Sequence, residues 1–447
     1  MRTYLFAALI ALLHLILAVT YANITPYRTP GILMGSFSAP GIHQAVPDIG
    51  NPDERAHEAY VQSLLEGKGF PVFKAGDGVG YENHQPPTYY LLAAGFAKLV
   101  GASDITQPEG SRIRWLNGLV GAGTVLGVFT CALWGFKRDD VAITATLFAA
   151  LLPMLCALDG AVSNDPLLYC MMTWTLAFII RAVTDGWTWK LAVTIGVLTG
   201  LSLLTKTTAL SLFPTVFIVG FLGKRAPFVQ VVAALGVGLL VAAPWLFRNQ
   251  SLYGDPFAMS AFVGGFSNPR PQDIIPGLPG GAFEYWTSWF GWWTTRSFFG
   301  AFGYMDIFLN STGVPRPSPR SGDTEILYRI LLLAFVLLTL GWVMSLKKPV
   351  WKEHSSVHIV NGIFLALVLV LFLRFNLSYF QAQGRYVIPA IGPIACGIGV
   401  GLSFWAKDRW KVGAAALLVA MLGLNLYTIN RLPGEFDLRK ASTISGS

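Results

Sequence analysis

The chain has 447 residues, of which 53% are hydrophobic and only 13% charged. A soluble domain carries roughly 25% charged residues, so most of this surface does not face water. The formal net charge of +8 is not a nucleic-acid footprint, because many basic residues sit in short loops between apolar runs and no basic stripe interleaves with aromatics.

Apolar runs long enough to cross a hydrocarbon core of ~30 Å begin near Thr3, Arg114, Val141, Pro166, Lys190, Thr207, Pro227, Glu325, Val357, Tyr386 and Val412. They predict an all-α integral membrane protein with about 11 transmembrane helices. The first run, Thr3 to Tyr21, is about 19 residues long, beyond the roughly 7–15 of a signal-peptide core, and reads as a retained span. Cys131, Cys156, Cys170 and Cys396 all lie inside apolar runs. They read as small hydrophobes, not as a disulfide frame or thiolate metal site.

Two stretches do not fit a span: 22–111 and 249–324, the second rich in Pro, Gly and aromatic residues. Residues 1–430 form the predicted transmembrane domain and 431–447 a tail. Lys137 and Arg138, Lys190, Lys224 and Arg225, Lys347 and Lys348, and Lys407, Arg409 and Lys411 fall in alternate connections, which are therefore predicted to be cytoplasmic. Both long loops and the tail then lie outside, which in a bacterium means the outer face of the plasma membrane. One segment decides this parity. Pro86 to Val100 is apolar but only about 15 residues long, short of a span, and reads as an interfacial helix. A more polar helix, Asp53 to Leu65, precedes it, with Ala56, Tyr60, Val61, Leu64 and Leu65 at helical spacing.

The ionisable residues collect at the predicted outer ends of the helices. Asn51-Pro-Asp-Glu-Arg-Ala-His57 reads as a well-capped helix start, or as a carboxylate at Asp53 or Glu54 poised as a general base with His57 one turn away. Tyr81-Glu-Asn-His-Gln-Pro-Pro-Thr-Tyr-Tyr90 is a polar turn closed by prolines that also offers Glu82 and His84. Asn164-Asp165-Pro166 opens the third-to-fourth run boundary and suits either a cap or a site acid. Lys206 interrupts Leu203-Leu-Thr-Lys-Thr-Thr-Ala, Arg248 follows Ala243-Pro-Trp-Leu-Phe, and Arg385 stands in Gln383-Gly-Arg-Tyr386. Arg248 suits snorkelling to the interface. Lys206 and Arg385 run against the inside bias, and ionisable groups at membrane depth are functional hypotheses by default. Cations beside carboxylates suit a phosphate-bearing headgroup next to a base. Glu54, His57, Glu82 and His84 would also suit a divalent cation.

Asn-Pro-Asp-Glu-Arg-Ala-His, Glu-Asn-His-Gln-Pro-Pro-Thr-Tyr-Tyr-Leu-Leu and Asn-Asp-Pro resemble, in this order, motifs of the membrane glycosyltransferases of the GT-C class. So do Leu-Thr-Lys-Thr-Thr, Ala-Pro-Trp-Leu-Phe-Arg-Asn, Ser297-Phe-Phe-Gly-Ala-Phe-Gly303 and Gln-Gly-Arg-Tyr-Val-Ile-Pro. The chain looks most like a bacterial branch of that class, with protein O-mannosyltransferases and lipid A aminoarabinose transferases as more distant relatives. The resemblance implies a GT-C-like helix bundle that transfers a hexosyl or pentosyl group from a polyprenyl-phosphate sugar to a glycan, lipid or protein hydroxyl. It places Asp53, with Glu54 as second choice, as the catalytic acid residue of the first outer loop, and adds Asp165. His57, Glu82, His84, Lys206, Arg248, Arg385 and Tyr386 are then expected to bind substrate. No Asp-x-Asp metal motif and no large soluble C-terminal domain are present. The competing reading is a transporter or flippase for a phosphate-bearing lipid. Such proteins often show inverted repeats and broken mid-membrane helices, and Pro389 to Gly397 has no counterpart in the first half.

Overall fold

A computed structural model of the chain describes residues 2–34, 44–222, 227–265, 269–309, 326–378 and 380–444. The expected basic turn at Lys224 and Arg225, the loop part 310–324 and tail residues 445–447 lie outside the described residues. In chain order the helices are α1 (Arg2–Ile24), α2 (Glu54–Leu65), α3 (Thr88–Leu99), α4 (Arg114–Phe136), α5 (Asp139–Ala150), α6 (Pro153–Leu158), α7 (Asp165–Asp185) and α8 (Trp189–Leu203). There follow α9 (Leu212–Val219), α10 (Phe228–Tyr253), α11 (Met259–Gly264), α12 (Pro271–Ile274), α13 (Gly281–Glu284), α14 (Trp292–Phe299), α15 (Ile326–Ser345), α16 (Pro349–Lys352), α17 (Ser355–Ser378), α18 (Ile391–Ala406) and α19 (Trp410–Ile444). Two short antiparallel hairpins, β1 (Gly31–Leu33) with β2 (Gln44–Val46) and β3 (Ala301–Phe302) with β4 (Ile307–Phe308), sit in the loops.

Each of the eleven apolar runs named above carries a helix, but not each forms one long rod. Among the described residues seven helices are long and apolar enough to cross a membrane. The last of these, Ile388–Lys440, contains two, α18 and α19, joined by a 3-10 turn at Lys407–Arg409. Helix α19 continues through Pro433 to Ile444, so the expected tail is helical over most of its length. The run from Val141 is broken, because Pro153 has no N–H to continue α5 and starts α6 instead. Helix α8 and the pair of a 3-10 turn (Thr207–Ser211) and α9 are short pieces flanking Lys206. Helices α1 and α17 are apolar on all sides, which suits contact with lipid on one face and protein on the other.

Small residues bring the spans together. A Cβ on Gly196 would stand 2.5 Å from the Ala234 carbonyl, and one on Gly200 2.6 Å from Val241 Cβ, so α8 and α10 pack backbone to backbone. In lipid, where no hydrophobic force drives helix pairing, such close approach is a main source of association.

Arg114 settles the parity of the first loop. At the start of α4 its guanidinium donates to the carbonyls of Ala22 (2.8 Å) and Thr25 (2.7 Å) at the end of α1, and forms a two-pronged pair with Glu54, 2.8 and 2.5 Å. The chain therefore leaves α1 and enters α4 at the same end of the bundle. Helix α3 has 12 residues, about 18 Å at 1.5 Å per residue, too short to cross. The basic turns meet at the opposite end: Lys137 lies 3.7 Å from Asp185, the Arg138 guanidinium sits 4.7 Å from the Trp351 ring centre and hydrogen-bonds Ser403, and Lys137 and Lys407 share a crevice.

Two outcomes follow for this frame. In a membrane-embedded variant without the four native cysteines, Lys68→Cys and Lys190→Cys should be labelled by an impermeant thiol reagent from opposite sides. Labelling of both from one side would mean that α3 crosses. Glu54→Gln leaves the buried Arg114 without its counter-charge, a loss worth about 3–5 kcal/mol, so the unfolding midpoint in detergent should fall clearly. An unchanged midpoint would remove this pair from the frame.

Candidate active site

Asp53 closes the Asn51-Pro52 turn just before α2, with a left-handed backbone (φ 65°) that Asp tolerates better than most residues. Its side chain makes no capping hydrogen bond. The carboxylate instead accepts from the Arg385 guanidinium (2.6 Å, Oδ2) and from the Tyr81 hydroxyl (2.9 Å, Oδ1). The cap explanation for Asp53 thus fails on geometry.

Arg385 is presented by a 3-10 turn, Gly384–Tyr386, that is itself pinned. The Gly384 N–H donates to Ser297 Oγ at 2.7 Å, and the Tyr169 hydroxyl donates to the Arg385 carbonyl at 3.0 Å. Asn164 does the same for the other side of the site: its amide donates to Gln85 Oε1 and to the Thr205 carbonyl, both at 3.2 Å. The motifs that stand far apart in sequence are therefore stapled to one another by side-chain bonds to backbone, the cheapest way to fix irregular chain in apolar surroundings.

These turns surround a cavity of about 500 Å³. Asp53, His57, Glu82, His84, Lys206, Arg385 and Tyr386 line it, joined by Thr207, Thr208, Ser260 and Arg374. Leu210, Phe262, Leu371, Phe372 and Phe375 make an apolar wall. The lining is thus amphipathic, combining charged groups with hydrocarbon.

Burial pushes the Asp53 carboxyl up, but the Arg385 charge and the hydrogen bonds from Arg385 and Tyr81 hold the group below the ordinary carboxylate range. Burial pulls Lys206 down, and the Asp165 carboxylate more than restores it, leaving the ammonium firmly charged. For Arg385 burial is likewise opposed, by Tyr386, Asp53 and Asp165, and the guanidinium stays protonated. Among the described residues Glu82 forms no ion pair, and burial raises it. Burial lowers both histidines, His84 to about 4. His57 Nδ1 hydrogen-bonds the Tyr90 hydroxyl at 2.8 Å, and His84 Nδ1 donates to the Tyr81 carbonyl at 2.8 Å.

Three expected residues do not reach the cavity surface. Glu54 is spent on Arg114 and on the Val162 N–H (2.8 Å), although it neighbours Asp53. Asp165 lies one layer behind, 2.5 Å from Lys206 Nζ, and holds that ammonium at the cavity wall. Arg248 donates to the Phe70 and Pro71 carbonyls and lies 4.4 Å from the Trp245 ring centre, the anchoring role that its position at a span end allows. Among the described residues no group of three or more His, Cys, Asp or Glu side chains could hold a metal ion.

Arg374 is the residue that the sequence reading passed over. It lines the cavity from the last turn but one of α17. The signal was the one that drew attention to Arg385, a lone cation in apolar Leu371-Phe-Leu-Arg-Phe375 at the end away from the basic turns. Tyr81 was also given no role, though its motif was noted.

The sequence family described as dolichyl-phosphate-mannose-protein mannosyltransferase matches residues 84–247, less than half of the chain. No curated protein matches. Among solved structures the chain is similar to ArnT from Cupriavidus metallidurans bound to undecaprenyl phosphate, with TM-score 0.53 and 14% identity, covering 97% of this chain and 74% of that one. It is also similar to the archaeal oligosaccharyltransferase AglB from Archaeoglobus fulgidus in complex with an inhibitory peptide and a dolichol-phosphate, with TM-score 0.53 and 13% identity. That match covers 95% of this chain and only 56% of AglB. These likenesses show that the chain shares the fold of ArnT and AglB.

Proposed function

We propose that the chain transfers a glycosyl group from a polyprenyl-phosphate sugar to an acceptor hydroxyl at the outer face of the membrane, with inversion at the anomeric carbon. One observation carries the reading: a single cavity combines an apolar wall with the paired Asp53 and Arg385 and with the further cations Lys206 and Arg374. The apolar wall suits a prenyl chain and the cations suit its phosphate. Both similar structures hold a polyprenyl or dolichol phosphate, and the partial family match names a dolichyl-phosphate sugar as donor. The basic turns at the opposite end support the outer face.

In this reaction the acceptor oxygen attacks the anomeric carbon while the bond from that carbon to the phosphate oxygen breaks. The acceptor proton passes to Asp53, and the polyprenyl phosphate leaves with the bonding pair. Such a leaving group needs positive charge near it more than a proton, which Lys206, Arg385 and Arg374 supply. Asp165 acts through Lys206, as a positioning residue.

The Asp53–Arg385 contact makes base strength depend on the donor. With Arg385 held at 2.6 Å, Asp53 is a weak base. A donor phosphate competes for the same guanidinium, and as it draws Arg385 away the upward push of burial on Asp53 is left less opposed. The base gains strength when the substrate is in place.

Purified protein assayed with a panel of polyprenyl-phosphate sugars should release polyprenyl phosphate and glycosylate an acceptor. Binding of the lipid without transfer, but with its movement across a vesicle membrane, would instead be the transport reading. Asp53→Asn should cut turnover by roughly 10² to 10⁴ while donor binding is largely kept; full transfer by a folded Asp53→Asn protein would overturn the base assignment. The pH profile supplies a second check. A general base works only when deprotonated, so kcat/KM falls as pH drops through its pKa. Arg385→Gln removes the charge that holds Asp53 down, and its acid limb should lie at higher pH than in the wild type. Coincident limbs would mean that Asp53 is not the group titrating.

A further inference from the structure

Among the buried titratable pairs that the mechanism leaves unused is His14 with Asp159. His14 lies mid-way along α1, and Asp159 follows α6; both are fully buried. His14 Nε2 is 2.8 Å from Asp159 Oδ2, and His14 Nδ1 donates to the Ala150 carbonyl at 2.8 Å. Ala150 is the last residue of α5, just before the break at Pro153. Among the described residues its carbonyl takes hydrogen bonds from His14 and from Cys156 Sγ (3.3 Å).

Both ring nitrogens thus face oxygen acceptors. A neutral imidazole has one N–H, so a second proton must lie between Nε2 and Oδ2, whichever atom formally owns it. The pair is then neutral as a unit, which is what a site in apolar surroundings tolerates. Its geometry is demanding, since α4 passes so close that a Cβ on Gly121 would collide with Asp159 Oδ2 and come within 2.8 Å of His14 Nε2.

The pair clamps the chain on both sides of the break: Ala150 before it and Asp159 after it are tied to the same ring. From Asp159 an irregular turn leads directly to Asp165, which holds Lys206 at the cavity. Within this turn Asn117 donates to the Ala161 and Ser163 carbonyls, and the Val162 N–H donates to Glu54. Gly160 lies flush on α1, where a Cβ would be 2.7 Å from the Ala18 carbonyl. The segment has no regular secondary structure to hold its shape, so its shape is that of its tethers.

We infer that His14 and Asp159 are positioning residues of the transfer site, a proton-sharing clamp across a broken span that sets where Asp165 presents Lys206 to the donor phosphate. The inference rests on the glycosyl-transfer reading of the cavity. Asp159→Ala leaves Nε2 without a partner and frees the start of the turn. Asp159→Asn keeps the clamp, because its amide N–H donates to Nε2 while Nδ1–H still donates to Ala150. A role confined to stability would lower the yield of folded protein and leave the folded fraction's affinity intact.

The test is binding of undecaprenyl phosphate to the purified, folded full-length chain in detergent, alongside transfer kinetics. Removing the partners that orient metal ligands typically costs roughly 10–100-fold, and the same order is expected for partners that orient Lys206. Asp159→Ala should weaken binding within that range, with kcat/KM reduced in step, and Asp159→Asn should restore both. Gly121→Ala, which crowds the pair without touching the cavity, should act like Asp159→Ala and carries the test if that variant does not fold. Wild-type affinity in folded Asp159→Ala or Gly121→Ala overturns the inference, as does an Asp159→Asn protein as impaired as Asp159→Ala. A wild-type chain that binds no undecaprenyl phosphate overturns the glycosyl-transfer reading, and this inference with it.

Discussion

The contact between Asp53 and Arg385 joins residues 332 positions apart, and the site cannot form unless both ends of the chain bring them within 2.6 Å. Taking an ion out of water costs several kcal/mol even after relaxation, so neither charge is stable there alone. Lys206 with Asp165 and Arg114 with Glu54 obey the same rule a few residues away. Three cations and three acids thus form a set of constraints at one end of a bundle whose long spans are mostly apolar. The first loop, the turn before α7, the break after α8 and the turn before α18 each supply a member. Folding of these irregular segments and assembly of the site are one process.

Much of this was legible because charge is conspicuous in a chain with so little of it. Lys206 interrupts apolar sequence and Arg385 stands just before an apolar run, both at the end away from the short basic turns, and both line the cavity. The length of the Pro86–Val100 segment was enough to deny it a crossing. What the sequence could not show is direction. Asp53 and Glu54 are adjacent and chemically alike, yet the left-handed backbone at Asp53 turns one toward the cavity while the other points back into α4. No residue count separates them. Arg248 looks in sequence like Arg385, a cation at a span end, and only the carbonyls of Phe70 and Pro71 show that it anchors a loop. Arg374 went unnoticed because a single arginine at the close of a long apolar helix is the usual picture of snorkelling.

The broken spans follow a similar logic. Pro153 ends α5, and the sequence alone does not show what satisfies the backbone that it frees. In a membrane such groups need partners from the protein, since no water reaches them. His14 answers for Ala150, Asn117 for Ala161 and Ser163, and Glu54 for Val162. Each partner comes from a different element: α1, α4 and α2. Irregular backbone at this depth is therefore a point where many elements meet, and that is why it can carry a site.

This arrangement also explains why a depressed Asp53 is compatible with a base. A carboxylate left unpaired in the empty cavity would take up a proton or destabilise the fold, and either would disable it. Pairing with Arg385 keeps it ionised and in place at little reactivity. The same cation is the one that a phosphate would claim, so the substrate's charge substitutes for the carboxylate's as partner. On the proposed reading the phosphate takes the carboxylate's place beside Arg385, the added negative charge favours proton uptake by Asp53, and its basicity would rise while the donor is bound. In an empty site the carboxylate is held weakly basic, and water alone is a poor substitute for the donor because it carries no charge with which to displace the arginine.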